Sequence, residues 1–151
     1  MKQIMTLTYL IKDGQVLLGY KKEGLGIGRY NGFGGKVETG ESIEAAAQRE
    51  VFEEANLTIK NLFKVGVLEF SWNNKNDALE VHIFKSTDFS GKIEESEEMR
   101  PEWFSMDKVP YKKMWSSDTY WWPLVLQNKK FVGNFIFDKN DQVINYHLEE
   151  L

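Results

Sequence analysis

The 151-residue sequence predicts an α/β fold, a mixed β-sheet with helices on its faces. Three observations predict it. Short β-prone runs recur along the chain between turn residues. Two stretches have helical character, one around residues 42–56 and one starting near Ser117 to Thr119. Strands and helices interleave without strict βαβ alternation, which favours a mixed sheet over a purely parallel one. The length suits one domain, residues 1–151, with a sizeable core.

The first two strands are "TLTYLI" and "QVLLGY", joined by Lys12-Asp13-Gly14; Asp-Gly between apolar runs is a hairpin signal. "KKEGLGIGRYNGFGG" then carries six Gly in 15 residues, which implies turns and close backbone approach rather than a helix. "TGESIEAAAQREVFEEANL" reads as a helix capped by Thr39 or Ser42, and Ala45 excludes a strict capping box after Ser42. Ile43, Ala47 and Val51 form its apolar stripe, and Asn56 is its stop, since Asn tolerates the left-handed conformation. "FKVGVLEFSW" and "LEVHIFKST" are strands around "NNKND". The acidic loop "FSGKIEESEEMRP" precedes a short strand, "EWFSM". In the second helix Pro123 is expected to fall within the first turn or so. "KFVGNFIFD" and "QVINYHLE" pair around Lys139-Asn140-Asp141.

Composition removes several function classes. The net charge of −4 gives no bulk attraction to a nucleic acid polymer. With no cysteine, disulfides, thiolate metal sites and Cys nucleophiles are excluded, and a reducing, cytoplasmic setting fits. The apolar N-terminal run is broken by Lys12, Asp13 and Gly14. It reads as a strand, not as a signal peptide or membrane anchor.

The helix ending in "QREVFEEANL" carries an electrostatic oddity. Glu50, Glu53 and Glu54 share one face, where like charges each cost roughly 0.2–0.5 kcal/mol. They also lie toward the C-terminus, where the helix dipole disfavours anions. A solvated acidic face is the plain reading. The chemical reading is a site for a hard divalent cation such as Mg²⁺, which takes a few carboxylates plus phosphate and water oxygens. The Gly-rich loop beside it suits a metal–phosphate complex.

"GKVETGESIEAAAQREVFEEANL" resembles the signature of the Nudix hydrolase family, G-x5-E-x7-R-E-U-x-E-E-x-G-U, with U a bulky aliphatic. Gly35, Glu41, Arg49, Glu50, Val51, Glu53, Glu54 and Leu57 fit. Asn56 replaces the signature's last Gly, a mild change at a helix stop that touches no ligand position. The resemblance implies an α/β/α sandwich with helices on both faces of the mixed sheet. It also implies Mg²⁺-dependent hydrolysis, with Mn²⁺ as a substitute, of a nucleoside diphosphate linked to another group. By the family pattern Glu50, Glu53 and Glu54 hold metal, one of them serving as general base, and the carbonyl of Gly34 adds a ligand. Arg49 orients a glutamate through a bidentate ion pair, and Glu41 joins that network or stands behind it. Lys36 reaches a phosphate or remains a solvated surface lysine. Glu98 supplies a further acid, with Glu95 and Glu97 as competitors.

Beyond the signature, "VLLGYKKEGLGIGRYNGFGGKVE", "EEMRPEWF" and "MWSSDTYWWPLVLQNKKFVGNFIF" resemble the family's oxidised-purine nucleoside triphosphatases almost end to end. That implies a purine pocket. Asn31 would bond a base edge, or is a turn Asn. Thr6 and Lys21 would lie near sugar or phosphate. Phe70 and Trp115 would sandwich the base, each stack worth roughly 1–3 kcal/mol, or pack in the core. Leu79 and Trp121 would complete the wall. Asp118 would meet the base edge, cap the second helix, or both. Ser117 stands where those relatives carry the first of two adjacent acids, and Leu25 where they carry Phe, so the accepted bases are expected to shift or narrow. The expected reaction converts a modified purine nucleoside triphosphate to monophosphate and pyrophosphate, carried out by a monomer. The rivals are a Nudix enzyme for another nucleotide derivative or an ordinary nucleoside triphosphate, and a non-catalytic nucleotide-binding module.

Overall fold

The computed structural model describes residues 2–151; Met1, at the head of the expected N-terminal strand, lies outside the described residues. The elements run β1 (Lys2–Lys12), β2 (Gln15–Lys21), β3 (Tyr30–Asn31), α1 (Ile43–Ala55), β4 (Thr58–Trp72), β5 (Ala78–Ser90), β6 (Met99–Ser105), a 3₁₀ turn (Tyr111–Lys113), α2 (Asp118–Leu126), β7 (Phe131–Phe137) and β8 (Val143–Glu150). The sheet is mixed, in the order β3-β2-β1-β5-β4-β7-β8, with β6 also paired to β2. β1 runs parallel to β5 and β4 parallel to β7, and the other pairs are antiparallel.

The β1–β2 hairpin closes on Asp13 and Gly14, at φ 53° and 75°. Two positive values are what a two-residue type I′ turn requires. The two strands pair only from Leu10↔Leu17 to the turn. Before Leu10 they splay, and the Gly-rich loop takes the place of β2 along β1. The amide of Thr8 donates to Phe33 (2.7 Å), that of Phe33 back to Thr8 (2.9 Å), that of Thr6 to Gly35 (2.9 Å), and that of Val37 to Ile4 (3.0 Å). This split in the sheet creates the site.

Strand alternation puts the helices on opposite faces. Leu10 and Leu17 pack with Val51 and Ala55 of α1. Tyr9, Val16 and Leu18 point the other way, into a core with Trp121, Trp122 and Val125 of α2. Ser42 caps α1, its hydroxyl accepting from the amide of Ala45 at 3.1 Å. Asn56 ends α1 at φ 61°, ψ 31°, and its side chain donates to the carbonyl of Lys92. The stop expected of Asn56 is therefore the one observed.

Several expectations need adjusting; "TLTYLI" and "FKVGVLEFSW" are the later parts of β1 and β4, which begin at Lys2 and Thr58. The strand "EWFSM" starts earlier, at Met99, because the acidic loop ends where β2 offers a partner at Lys21. Pro123 is the sixth residue of α2, not in its first turn. The helix has only nine residues, so one missing amide bond is the loss, and burial of Trp121, Trp122 and Val125 holds it in place.

Candidate active site

Two glycines let the loop reach the acidic face of α1. A Cβ on Gly34 would sit 1.8 Å from the carbonyl oxygen of Thr6, and one on Gly35 would sit 2.7 Å from the carboxyl carbon of Glu50. At Gly34 the obstacle is backbone, so no side chain fits; at Gly35 it is the end of the Glu50 side chain, which would have to move. The amide of Gly34 donates to Glu54 Oε1 at 2.9 Å. Glu54 is 3% exposed, and its second oxygen has no hydrogen-bond partner. Burial, the neighbouring Glu50 and the approach of Glu98 raise its pKa to about 9. Glu50 is also raised, first by burial, against the pull of Arg49.

Arg49 holds the rest of the acidic face together. Its Nε and Nη2 bond both oxygens of Glu41, at 2.7 and 3.0 Å. Its Nη2 also donates to the carbonyl of Lys36 at 3.0 Å, joining the helix to the loop. Its Nη1 lies 2.8 Å from Glu50 and 3.3 Å from Glu53. Glu41 is lowered by this contact, and Arg49 is raised by the same pair. The glutamate gripped by the bidentate pair is thus Glu41.

A cavity of about 380 Å³ opens between the splayed strands. Gly34, Glu50, Glu98, Lys21 and Lys36 line it, and Lys21 lies 3.4 Å from Glu98. Glu95 instead pairs with Lys22, outside the cavity lining. Thr6, Asn31, Phe70, Leu79, Trp115, Ser117, Asp118, Trp121 and Leu25 line it as well. Every expected pocket residue therefore faces one space, while Arg49, Glu53 and Glu54 lie outside its lining.

The polar groups in the pocket have defined states. Tyr9 Oη donates to Asn31 Oδ1 at 3.0 Å, and the amide of Gly32 donates to the same oxygen at 2.9 Å. With Oδ1 engaged twice, the Asn31 amide nitrogen is left as a donor. Burial first, and then Asp118, keep Tyr9 protonated well above its usual range. Asp118 is the first residue of α2, so Ser117 takes the cap position, although its hydroxyl makes no capping bond. The capping role considered for Asp118 falls away. Burial raises Asp118 to about 7, opposed by Ser117, by the Trp121 indole and by Arg29. Its Oδ1 lies 3.4 Å from the Ser117 hydroxyl, and its Oδ2 has no hydrogen-bond partner. Near neutral pH this buried carboxyl can donate or accept.

Residues 3–125 match the family profile described as the NUDIX domain. The chain belongs to the Nudix family of hydrolases. It is 46% identical over 149 residues to the oxidized purine nucleoside triphosphate hydrolase of Danio rerio, covering 99% of this chain and 96% of that protein. The Mus musculus protein of the same name matches with the same identity and coverage. Among solved structures, the MutT protein of Bacillus halodurans superposes with a TM-score of 0.88 at 28% identity, over 97% of each chain.

Nudix hydrolases use a divalent metal, and the residues here suit one. The buried, unpartnered Oε2 of Glu54 sits where Glu50 and Glu98 also approach, and all offer hard oxygen donors. Among the described residues no three acidic or histidine side chains already converge as ligands on one point. Glu50 and Glu53 are both in contact with the Arg49 guanidinium.

Sequence reasoning missed several residues in or directly behind this Nudix pocket. Tyr9 sets the Asn31 amide, and a phenol within the apolar run "TLTYLI" was the available signal. Trp72 and Phe137 line the cavity beside Trp115, at ring distances of 6.2 and 5.4 Å. Trp72 follows Phe70 by two residues, so strand alternation alone puts both on one face. Phe70 is backed by Phe135 and Phe137, stacked at 5.8 and 5.7 Å.

Proposed function

We propose that this Nudix hydrolase cleaves oxidised or otherwise modified purine nucleoside triphosphates, of the 8-oxo-dGTP or 2-oxo-dATP type, to the monophosphate and pyrophosphate. One observation carries the reading: a single cavity is lined by Glu50 of the Nudix signature and Glu98 and also by the aromatic rings of Phe70, Trp72 and Trp115, with Asn31 and Asp118 among its walls. The near full-length similarity to oxidized purine nucleoside triphosphate hydrolases supports the same substrate class.

In this reading Glu50, Glu53, Glu54 and Glu98, with the carbonyl of Gly34, hold Mg²⁺, for which Mn²⁺ substitutes. When bound, the cation neutralises phosphate charge and lowers the pKa of the attacking water. One glutamate of the group accepts that water's proton. The water oxygen bonds to one phosphorus of the α–β anhydride as the bridging oxygen leaves on the other, giving monophosphate and pyrophosphate. Arg49 is a positioning residue, fixing Glu50 and Glu53 from behind. Lys21 and Lys36 meet the phosphates, and Thr6 lies near the sugar. Trp115 and Phe70 hold the base flat, Leu79 and Trp121 close the wall, and Asn31 donates to the base edge. Asp118 completes the base contacts beside Ser117, whose hydroxyl never carries charge.

The biological counterpart is sanitation of the nucleotide pool, which prevents DNA damage by removing faulty precursors. The protein would act as one domain, residues 1–151, as a monomer in the cytoplasm. Its substrate would be a free nucleotide, not a nucleic acid polymer or a membrane component. The net charge of −4 favours this. Among the described residues no helix is long and apolar enough to cross a membrane.

The test is a substrate panel with Mg²⁺: 8-oxo-dGTP, 2-oxo-dATP, O6-methyl-dGTP and dGTP. At least one modified purine should exceed dGTP in kcat/KM by about tenfold, the scale of one well-placed buried hydrogen bond. Equal values across the panel would sink the sanitation reading.

A further inference from the structure

Trp115 is held by a part of the molecule far from the Nudix signature. The Arg29 guanidinium lies over its ring, 4.5 Å from the centroid. Trp115 lines the cavity and Arg29 does not. The cation therefore holds one face of the ring from outside the cavity lining. Arg29 is in turn gripped by Asp141, Nη2 to Oδ2 at 3.3 Å. The other carboxylate oxygen of Asp141 accepts the Trp72 indole N–H at 2.8 Å, and Trp72 meets Trp115 edge-on at 73°. The Asp141 carbonyl accepts the Ser116 hydroxyl at 2.9 Å, and that hydroxyl accepts the amide of Val143 at 3.1 Å. One residue thus restrains Trp115 through one ring face, its edge and its sequence neighbour.

Asp141 is built for this position. It lies in the β7–β8 turn at φ 60°, a conformation that Asp and Asn adopt more readily than other non-glycine residues. The turn is itself braced: the Asp138 carboxylate accepts the amides of Asn140 and Gln142 at 2.8 and 3.0 Å. β7 lies parallel to β4, which carries Phe70 and Trp72. The turn is therefore registered against the same strand that supplies Phe70 and Trp72 to the pocket.

We propose that Arg29 and Asp141 are positioning residues for base recognition: the β7–β8 turn, through Asp141, sets the Arg29 guanidinium and with it the plane of Trp115. The proposal rests on the reading of the cavity as a purine pocket. The pair touches neither the carboxylates of α1 nor a phosphate-facing lysine. Its loss should weaken base binding and leave bond cleavage intact. The expected signature is a rise in KM without a matching fall in kcat.

The test uses the full chain with its five tryptophans labelled as 5-fluorotryptophan and each ¹⁹F resonance assigned by a Trp→Phe change. Three variants separate the contacts. Asp141→Gly keeps the positive φ and the bond from Ser116 but removes the carboxylate. Asp141→Asn keeps an oxygen for Trp72 and loses only the ion pair. Arg29→Met removes the cation at similar length. In Asp141→Gly and Arg29→Met the Trp115 resonance should shift or broaden while those of Trp121 and Trp122, buried in the core, stay in place. KM for the preferred modified purine triphosphate should rise about fivefold to tenfold with kcat within about twofold, the range a desolvated cation–π contact supports. Asp141→Asn should fall between these variants and the unaltered protein. An unmoved Trp115 resonance in both variants overturns the clamp, and so does an unchanged KM in an active enzyme. If the unaltered protein turns over no modified purine, the substrate reading fails separately and the ¹⁹F result alone judges the clamp. If Asp141→Gly does not fold, Arg29→Met decides.

Discussion

Arg49 grips Glu41 side-on, Nε to Oε2 at 2.7 Å and Nη2 to Oε1 at 3.0 Å, and this pair anchors the acidic face. The remaining Nη1 is left to Glu50 and Glu53. Lysine would keep the charge but could not hold both oxygens of Glu41 while reaching the other two acids. Arg49→Lys should lower kcat by roughly 10–100-fold, the usual effect of losing a group that orients metal ligands. The Mg²⁺ concentration for half-maximal rate should rise as well. Steady-state rates measured against Mg²⁺ check both, and an unchanged Mg²⁺ requirement would count against the positioning role.

The three glutamates of α1 should make stability depend on metal. At a hundredfold excess over Kd, Mg²⁺ should stabilise the fold by about 2.7 kcal/mol. For a chain of this size that is a rise in Tm of roughly 5–10 °C. Glu54→Gln should abolish turnover and blunt that rise. Without metal at pH 7 it should leave Tm unchanged or higher, because burial already holds Glu54 protonated to about pH 9 and Gln mimics the neutral form. Thermal melts with and without Mg²⁺ decide this, and a full Mg²⁺ response in Glu54→Gln would remove Glu54 from the ligand set.

Asp118 should couple base choice and stability to pH. Its folded pKa of about 7 lies above the ordinary 3.8, so the folded state binds the extra proton between those values. Its contribution to stability is therefore undiminished below pH 4, falls as pH rises from about 4 to 7, and levels off above. Asp118→Asn should remove that slope from the melting curves. The ratio of kcat/KM for 8-oxo-dGTP to that for 2-oxo-dATP should change across pH 6–8 and be flat in Asp118→Asn. Ser117→Asp puts a second carboxyl beside the first, and like charges resist joint ionisation. It should move the pH dependence to higher values and widen the range of bases hydrolysed. A pH-independent ratio in the unaltered enzyme would refute the role given to Asp118.

Gly35→Ala would press a methyl group to 2.7 Å from the Glu50 carboxyl carbon. That carbon is at the end of a flexible side chain, so the protein should still fold. The displaced carboxylate should lower kcat by about tenfold or more while KM changes little. Gly34→Ala meets the backbone of Thr6 at 1.8 Å and has no such escape. Its expected result is a loss of stability of at least about 1–3 kcal/mol, visible in denaturant melts. A normal kcat in Gly35→Ala would contradict the placement of Glu50 in the site.

Much of this site is legible along the chain because its parts are local. The helix supplies its own spacing, so Glu50, Glu53 and Glu54 share a face in any fold that keeps α1. Ser42 and Asn56 end that helix by backbone rules that need no partner. Asp13-Gly14 closes a hairpin for the same reason. The pocket walls were named through resemblance, and each of them lines the cavity. The supporting residues were not found that way. Tyr9 acts on Asn31, 22 residues away, and Asp141 on Arg29, 112 residues away. No periodicity or motif records contacts at such separations.

The primary sequence carries what short-range physics can encode: the helix and its caps, the turns, and three carboxylates at a spacing a bare helix disfavours. The long-range assembly settles their states. The splay between β1 and β2 lets the glycine loop reach Glu50 and Glu54, and burial there raises two pKa values that free glutamates would not show. The same burial takes Asp118 to about 7. Desolvation depends on everything packed around a group, so it has no counterpart in the linear chain.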